Sequence, residues 1–127
     1  MDYTGIHHVS LIVTDLERSK HFYGKIIGFE EIERPNFDTL GAWYQIRNTQ
    51  LHLIVYNEGK TLRGTVELDS SDGHFAVRVT DTEAFIKRME AHNVSMLTTP
   101  SNAAGWYQVY VGDPDGNLIE FNYHPEE

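Results

Sequence analysis

The chain has 127 residues, with 10 Lys+Arg against 19 Asp+Glu for a formal net charge of −9, and no cysteine. Disulfide frameworks, thiolate metal clusters and cysteine nucleophiles are therefore excluded, and an acidic chain with scattered basic residues is a poor partner for nucleic acid or an anionic membrane. The opening MDYTGIHH has neither a basic start nor an apolar core, and no apolar run approaches the ~20 residues that span a bilayer, so the expectation is a single domain, 1–127, in a soluble cytoplasmic protein.

An internal repeat organises the elements. His8-Val9-Ser10-Leu11-Ile12-Val13-Thr14-Asp15 aligns without a gap on His74-Phe75-Ala76-Val77-Arg78-Val79-Thr80-Asp81, and Ala42-Trp43-Tyr44-Gln45-Ile46 on Gly105-Trp106-Tyr107-Gln108-Val109. Each copy begins with an alternating apolar segment that predicts a strand ending at Asp15 or Asp81, and the aspartate then caps a helix. Leu16, Ser19, Tyr23, Ile26 and Ile27 share one face of the first helix, Thr82, Phe85, Ile86 and Met89 one face of the second, and Gly28 and Asn93 are the stops. Three strands are expected after each helix: Phe29 to Arg34, Ala42 to Ile46 and Leu51 to Tyr56, then Val94 to Thr98, Trp106 to Val111 and Leu118 to Tyr123. Asp113-Pro114-Asp115-Gly116 is a strong turn signal between the last two. The pattern is α+β, two βαβββ modules at about 4–57 and 73–124, joined by a polar linker at about 58–72 and followed by a solvated tail, Pro125-Glu126-Glu127.

The repeat puts His8 and His74 at the same place on the first strand of each module, on the face turned away from the helix. His52 and Glu120 occupy corresponding last strands. Three imidazoles and one carboxylate in a pseudo-twofold arrangement suit a divalent Zn, Ni, Co, Mn or Fe(II) ion with positions left open for water and substrate. The competing reading is that these are partly buried histidines bonded to backbone. By alternation His7 points opposite to His8, while His21 and His92 lie on helices and His124 in the tail; these four are read as structural or surface residues.

The phrases His8-Val9-Ser10-Leu11-Ile12-Val13-Thr14-Asp15, Phe22-Tyr23-Gly24-Lys25-Ile26-Ile27-Gly28-Phe29, Leu51-His52-Leu53-Ile54 and Asp113-Pro114-Asp115-Gly116-Asn117-Leu118-Ile119-Glu120 resemble the vicinal oxygen chelate superfamily of glyoxalase I, fosfomycin-resistance, bleomycin-resistance and extradiol dioxygenase proteins. The resemblance covers nearly the whole chain. It implies a curved mixed sheet forming a cleft with the helices outside, and a divalent metal held by His8, His52, His74 and Glu120 that chelates a small substrate through adjacent oxygens. It also implies a homodimer. Within such a cleft, strand parity turns Trp43, Gln45, Trp106, Gln108 and Tyr110 inward beside Tyr56, and puts Arg78 on the ligand face; Tyr56, Arg78, Tyr110, Trp43 and Gln108 are the candidate substrate contacts. Each of these aromatic residues could equally complete a hydrophobic layer, and Arg78 could equally reach solvent.

Departures from the family's patterns narrow the reaction. The thiol-cofactor arginine that bacterial glyoxalase I carries four residues after the first histidine is Ile12 here, and its glutamate or glutamine ligand is His52. The cationic tail of the fosfomycin thiol transferases is missing after Glu120. The expectation is a metal-dependent glyoxalase-like isomerase or lyase on a small oxygenated molecule, with Glu120 as the base if a proton moves. The alternatives are an extradiol-type Fe(II) dioxygenase on an aromatic substrate and a drug-sequestering protein that binds a planar ligand without turnover.

Overall fold

Asp15 and Asp81 start the two principal helices. Both sit in extended backbone, and their side chains accept from the backbone N–H groups of Arg18 (3.1 Å) and Ala84 (3.0 Å), which the helices themselves leave unpaired. Each such cap is worth about 1 kcal/mol. The structure is a computed structural model that describes residues 1–58 and 61–126. Two compact units emerge, Met1–Leu62 and Arg63–Glu127. The first contains β1 (His8–Val13), α1 (Leu16–Lys20), a π-helical continuation (His21–Ile27), β2 (Glu30–Ile32), β3 (Gly41–Ile46) and β4 (Thr49–Val55). The second contains β5 (Phe75–Arg78), α2 (Thr82–Ala91), β6 (Leu97–Thr99), β7 (Tyr107–Gly112) and β8 (Leu118–Tyr123). Both are βαβββ, as the repeat predicts.

The sheets are ordered β1-β4-β3-β2 and β5-β8-β7-β6. In each, the first and last strands of the module run parallel and the remaining pairs antiparallel. The registers also agree. Ser10 pairs with His52 and Ala76 with Glu120, so each candidate ligand on the last strand lies diagonal to a histidine two residues earlier in the chain, His8 at the start of β1 and His74 just before β5. The opposite faces form the cores: Val13, Tyr23, Tyr44, Leu51 and Leu53 in the first unit, and Met89, Val109, Val111, Ile119 and Phe121 in the second, all fully buried or nearly so.

Several strand ends differ by one or two residues from the sequence expectation: β4 runs Thr49–Val55 and leaves out Tyr56, β7 begins at Tyr107 and leaves out Trp106, and β5 begins at Phe75 and leaves out His74. Three further differences have a local reason. The first helix widens into a π turn, which brings Phe22 inward together with Tyr23, the two rings edge-to-face at 5.0 Å. Phe29 donates its N–H back to the Tyr23 carbonyl, so β2 begins only at Glu30. Val94 likewise returns its N–H to Met89 after Asn93 turns left-handed (φ 58°), which ties Val94 to the end of α2 and shortens β6.

Of the segment expected as a linker, Gly59 and Lys60 lie outside the described residues, as does Glu127 of the tail. From Arg63 on, this segment belongs to the second unit. The Arg63 guanidinium donates to the Asp72 carboxylate and to the carbonyls of Gly116 and Glu67, each at 2.7 Å, pinning the segment to the β7–β8 turn. That turn is built as its sequence predicts: the buried Asp113 carboxylate accepts from the N–H groups of Asp115 (2.9 Å) and Asn117 (2.8 Å) and from the Asn117 amide (2.8 Å). Gly116 closes it at φ 84°, and any Cβ there would strike the Thr65 carbonyl. Gly116→Ala should therefore cost about 2–3 kcal/mol, read as a lowered urea midpoint, with the turn and the 63–72 segment loosening together in hydrogen exchange.

Candidate functional site

The second unit brings four polar side chains onto the face opposite its core. Glu120, buried in the middle of β8, accepts from the Tyr110 hydroxyl (3.0 Å) and the Asn122 amide (2.6 Å), and Gln108 in turn donates to the Tyr110 oxygen (3.0 Å). These residues meet because Gln108 pairs with Asn122 and Tyr110 with Glu120 across β7 and β8, so all four share one parity. Burial pushes the Glu120 carboxyl up, but hydrogen bonds from Asn122, Gln108, Tyr110 and His74 outweigh it and hold it below its ordinary value. Glu120 is accordingly a carboxylate at neutral pH. Burial, with the hydrogen bond to and the charge of Glu120, pushes Tyr110 up to about 12, so it stays a donor.

His74, just before β5, completes the group. Its Nδ1 lies 2.7 Å from the Asp72 carbonyl, an acceptor, so Nδ1 carries the proton and Nε2 is left to face Glu120 Oε1 at 3.1 Å. An imidazole nitrogen whose proton is on the far side and a carboxylate oxygen are both acceptors; the contact requires a cation, either a proton on Nε2 or a metal ion. Two ligand atoms each about 2.1 Å from an ion, at about 90–109°, stand about 3.0–3.4 Å apart, which this pair matches. The Nδ1–H to carbonyl bond is also the support that orients ligating histidines. Arg63 extends that support, because it holds Asp72, whose carbonyl His74 uses, and keeps the Asp72 carboxyl below its usual range.

The first unit holds the corresponding positions differently. His52 is sandwiched between Trp43 (centroids 4.0 Å apart, 3° between planes) and His8 (4.1 Å, 12°). Near-parallel rings project their in-plane nitrogen lone pairs along separate planes, so His8 and His52 do not aim at one point in this arrangement. His52 Nε2 bonds the Gln50 amide oxygen at 2.8 Å instead. Burial first, then the neighbouring His8, His7 and Arg34, push His52 down to about 4, leaving it neutral at pH 7. His7 corrects the alternation argument: it precedes β1, is not bound by the strand's period, and sets its Nδ1 2.8 Å from Nδ1 of His8 with the rings edge-to-face. The imidazole cluster is thus His7, His8 and His52.

The remaining candidates are dispersed. Tyr56 lies beyond β4 and is 49% exposed. Arg78, at the end of β5, lies over the Trp106 ring at 5.1 Å. Among the described residues each unit offers a pair of candidate ligands, and no cluster of three or more acidic or imidazole groups is poised around an ion. Asn122, Arg63 and Arg34 carry no signal among the sequence motifs above. Asn122 was reachable, since it shares Glu120's strand parity; Arg63 and Arg34 act through loops that periodicity does not describe.

The sequence profile of the Glyoxalase/Bleomycin resistance protein/Dioxygenase superfamily matches residues 5–121. The chain is 30% identical over 124 residues to a Haemophilus influenzae protein named lactoylglutathione lyase, covering 91% of this chain and 90% of that one. It is 28% identical over 122 residues to Glyoxylase I 4 of Arabidopsis thaliana, covering 92% and 69%. A crystal structure from Bacillus anthracis, ascribed to the glyoxalase family, superposes with a TM-score of 0.82 at 25% identity over 98% of both chains. No described helix is long and apolar enough to cross a membrane.

The depressed His52 has a measurable consequence. Between pH of about 6.5 and 4 the unfolded chain binds a proton at His52 that the folded chain refuses, so stability falls as pH drops through that window. In EDTA-treated protein, urea unfolding at pH 7 and pH 5 should show wild type losing about 1–2 kcal/mol more than His52→Gln. Equal losses would show that His52 is not held neutral.

Proposed function

We propose that this chain, which belongs to the Glyoxalase/Bleomycin resistance protein/Dioxygenase superfamily, is a divalent-metal-dependent isomerase or lyase acting on a small oxygenated organic molecule, as a cytoplasmic homodimer. The metal ligands in this proposal are His8, His52, His74 and Glu120, and the ion is one of Zn, Ni, Co, Mn or Fe(II). The observation that supports it most is the His74–Glu120 pair, an oriented nitrogen and a buried ionised carboxylate 3.1 Å apart with a charge deficit that a cation fills. The lyase and glyoxalase names of the relatives point the same way.

When bound, the ion would supply Lewis acidity to adjacent substrate oxygens. The chain's own residues do the rest. Asn122 and Tyr110 keep Glu120 ionised and fixed, Gln108 holds the Tyr110 hydroxyl in its donating direction, and the Asp72 carbonyl holds the His74 ring. The same donors weaken Glu120 as a base, so it serves chiefly as a ligand and only secondarily as proton acceptor. Any ligation by His8 or His52 requires rotation out of their stack, a cost that makes them the weaker pair. Ile12, in the place of a thiol-cofactor arginine, argues against lactoylglutathione as the substrate. The ring stack of the first unit supports a second reading, capture of a planar ligand without turnover.

Elemental analysis after anaerobic reconstitution tests the assignment. About one ion per chain is expected, with His74→Ala and Glu120→Ala each lowering affinity by at least about 100-fold and His52→Ala by about tenfold. Asn122→Ala, which frees Glu120 without removing a ligand, should cost about 10-fold or more. Unchanged occupancy in Glu120→Ala would overturn the site, and a chain that takes up no metal would leave ligand capture as the function.

A further inference from the structure

The first unit carries a cavity of about 450 Å³ whose walls include His8, Arg34, Phe37, Asp38, Trp43 and His52. Its volume is that of a small-molecule site. Phe37 and Trp43 face each other at 6.0 Å with their planes tilted 43°, and Phe37 is left 51% exposed on the loop between β2 and β3. A large aromatic surface kept open beside a stacked indole is a platform for a flat ring.

Arg34 supplies the charge. Its Nη1 and Nη2 donate to the carbonyl (2.8 Å) and hydroxyl (3.0 Å) of Thr39, and its guanidinium lies over Phe37 at 4.9 Å. Its Nε is buried with no hydrogen-bond partner. Among the described residues no carboxylate lies within ion-pairing distance of it. The loop is shaped around this side chain: Gly41 is glycine where a Cβ would meet Leu53's carbonyl and crowd the Arg34 Nε at 2.8 Å. A half-buried guanidinium, positioned by neutral oxygens and left without a counter-ion, has unused donors suited to an anion. Asp38, on the same wall, opposes a multiply charged anion more strongly than a singly charged one.

We infer that this cavity binds a planar aromatic or conjugated monocarboxylate, its ring against Trp43 and Phe37 and its carboxylate on Arg34. The inference rests on reading this face of the first unit as the substrate side and adds to it the substrate's chemical class. It makes Arg34 a specificity residue; no ligand of the proposed metal is involved in the charge contact.

The test uses EDTA-treated full-length protein and two probes of one shape, 1-naphthoate and its neutral counterpart 1-naphthamide, followed through the indole N–H resonances of Trp43 and Trp106. The naphthoate should shift Trp43 and bind about tenfold or more tightly than the amide, the effect of one charge-assisted contact. Arg34→Met should reduce that ratio to about twofold or less while leaving amide affinity in place, and Arg34→Lys should retain part of it. A wild-type chain that does not prefer the anion, a shift confined to Trp106, or a preference that survives Arg34→Met would each overturn the inference. Should Arg34→Met fail to fold, wild type alone decides: the anion preference must shrink when salt is raised from about 0.05 to 0.5 M, and a salt-independent ratio rejects the contact. Because the measurement is made without metal, its failure leaves the proposed metal centre standing; a chain that binds no metal but keeps the preference loses that centre and retains the pocket.

Discussion

Everything at the candidate site depends on the parallel pairing of the first and last strands of each module. Parallel strands cannot be joined by a hairpin, so the helix and two intervening strands of each module serve as the crossover that returns the chain beside its own beginning. The register then sets which side chains meet. Ser10 opposite His52 and Ala76 opposite Glu120 are equivalent pairings, and a slip of one residue in either would turn the ligand candidate into the core and a leucine or isoleucine out of it. The buried Leu51, Leu53, Ile119 and Phe121 therefore specify the position of His52 and Glu120 as firmly as any polar contact does.

On this shared frame the two units have acquired different chemistry. In the second, Gln108, Tyr110, Asn122 and His74 converge on one buried carboxylate, and the donors outweigh the desolvation that would otherwise neutralise it. In the first, the registers put Trp43, His52 and Ile54 in the places of Tyr110, Glu120 and Asn122, and the result is a stack of flat rings with a neutral imidazole in the middle. One unit is organised for charge, the other for planar surface.

Loops carry the support. Arg63 ties the 63–72 segment to the Asp113–Gly116 turn and so reaches His74 through Asp72, and Arg34 is shaped into the first unit's cavity by Thr39, Phe37 and Gly41. Neither arginine lies in a strand or helix. Their roles follow from long side chains reaching backbone carbonyls that are distant in sequence, as in Arg63 to Gly116.

What the sequence by itself determined is what a few neighbouring residues encode: the duplicated βαβββ order, the Asp15 and Asp81 caps, the stops at Gly28 and Asn93, the Asp113 turn, and the strand face on which His8, His52 and Glu120 lie. These follow from the period of a strand, the unpaired N–H groups of a helix start and the left-handed backbone of a helix end. Tertiary structure alone decided the partners: that the His74 Nδ1–H faces the Asp72 carbonyl, that the hydrogen-bonding groups around Glu120 hold it ionised, that His52 is stacked and neutral, that His7 joins His8, and that the first helix opens into a π turn. Each of these depends on inter-strand register and on which side chain fills the space beside another, and no local period in the chain carries that information.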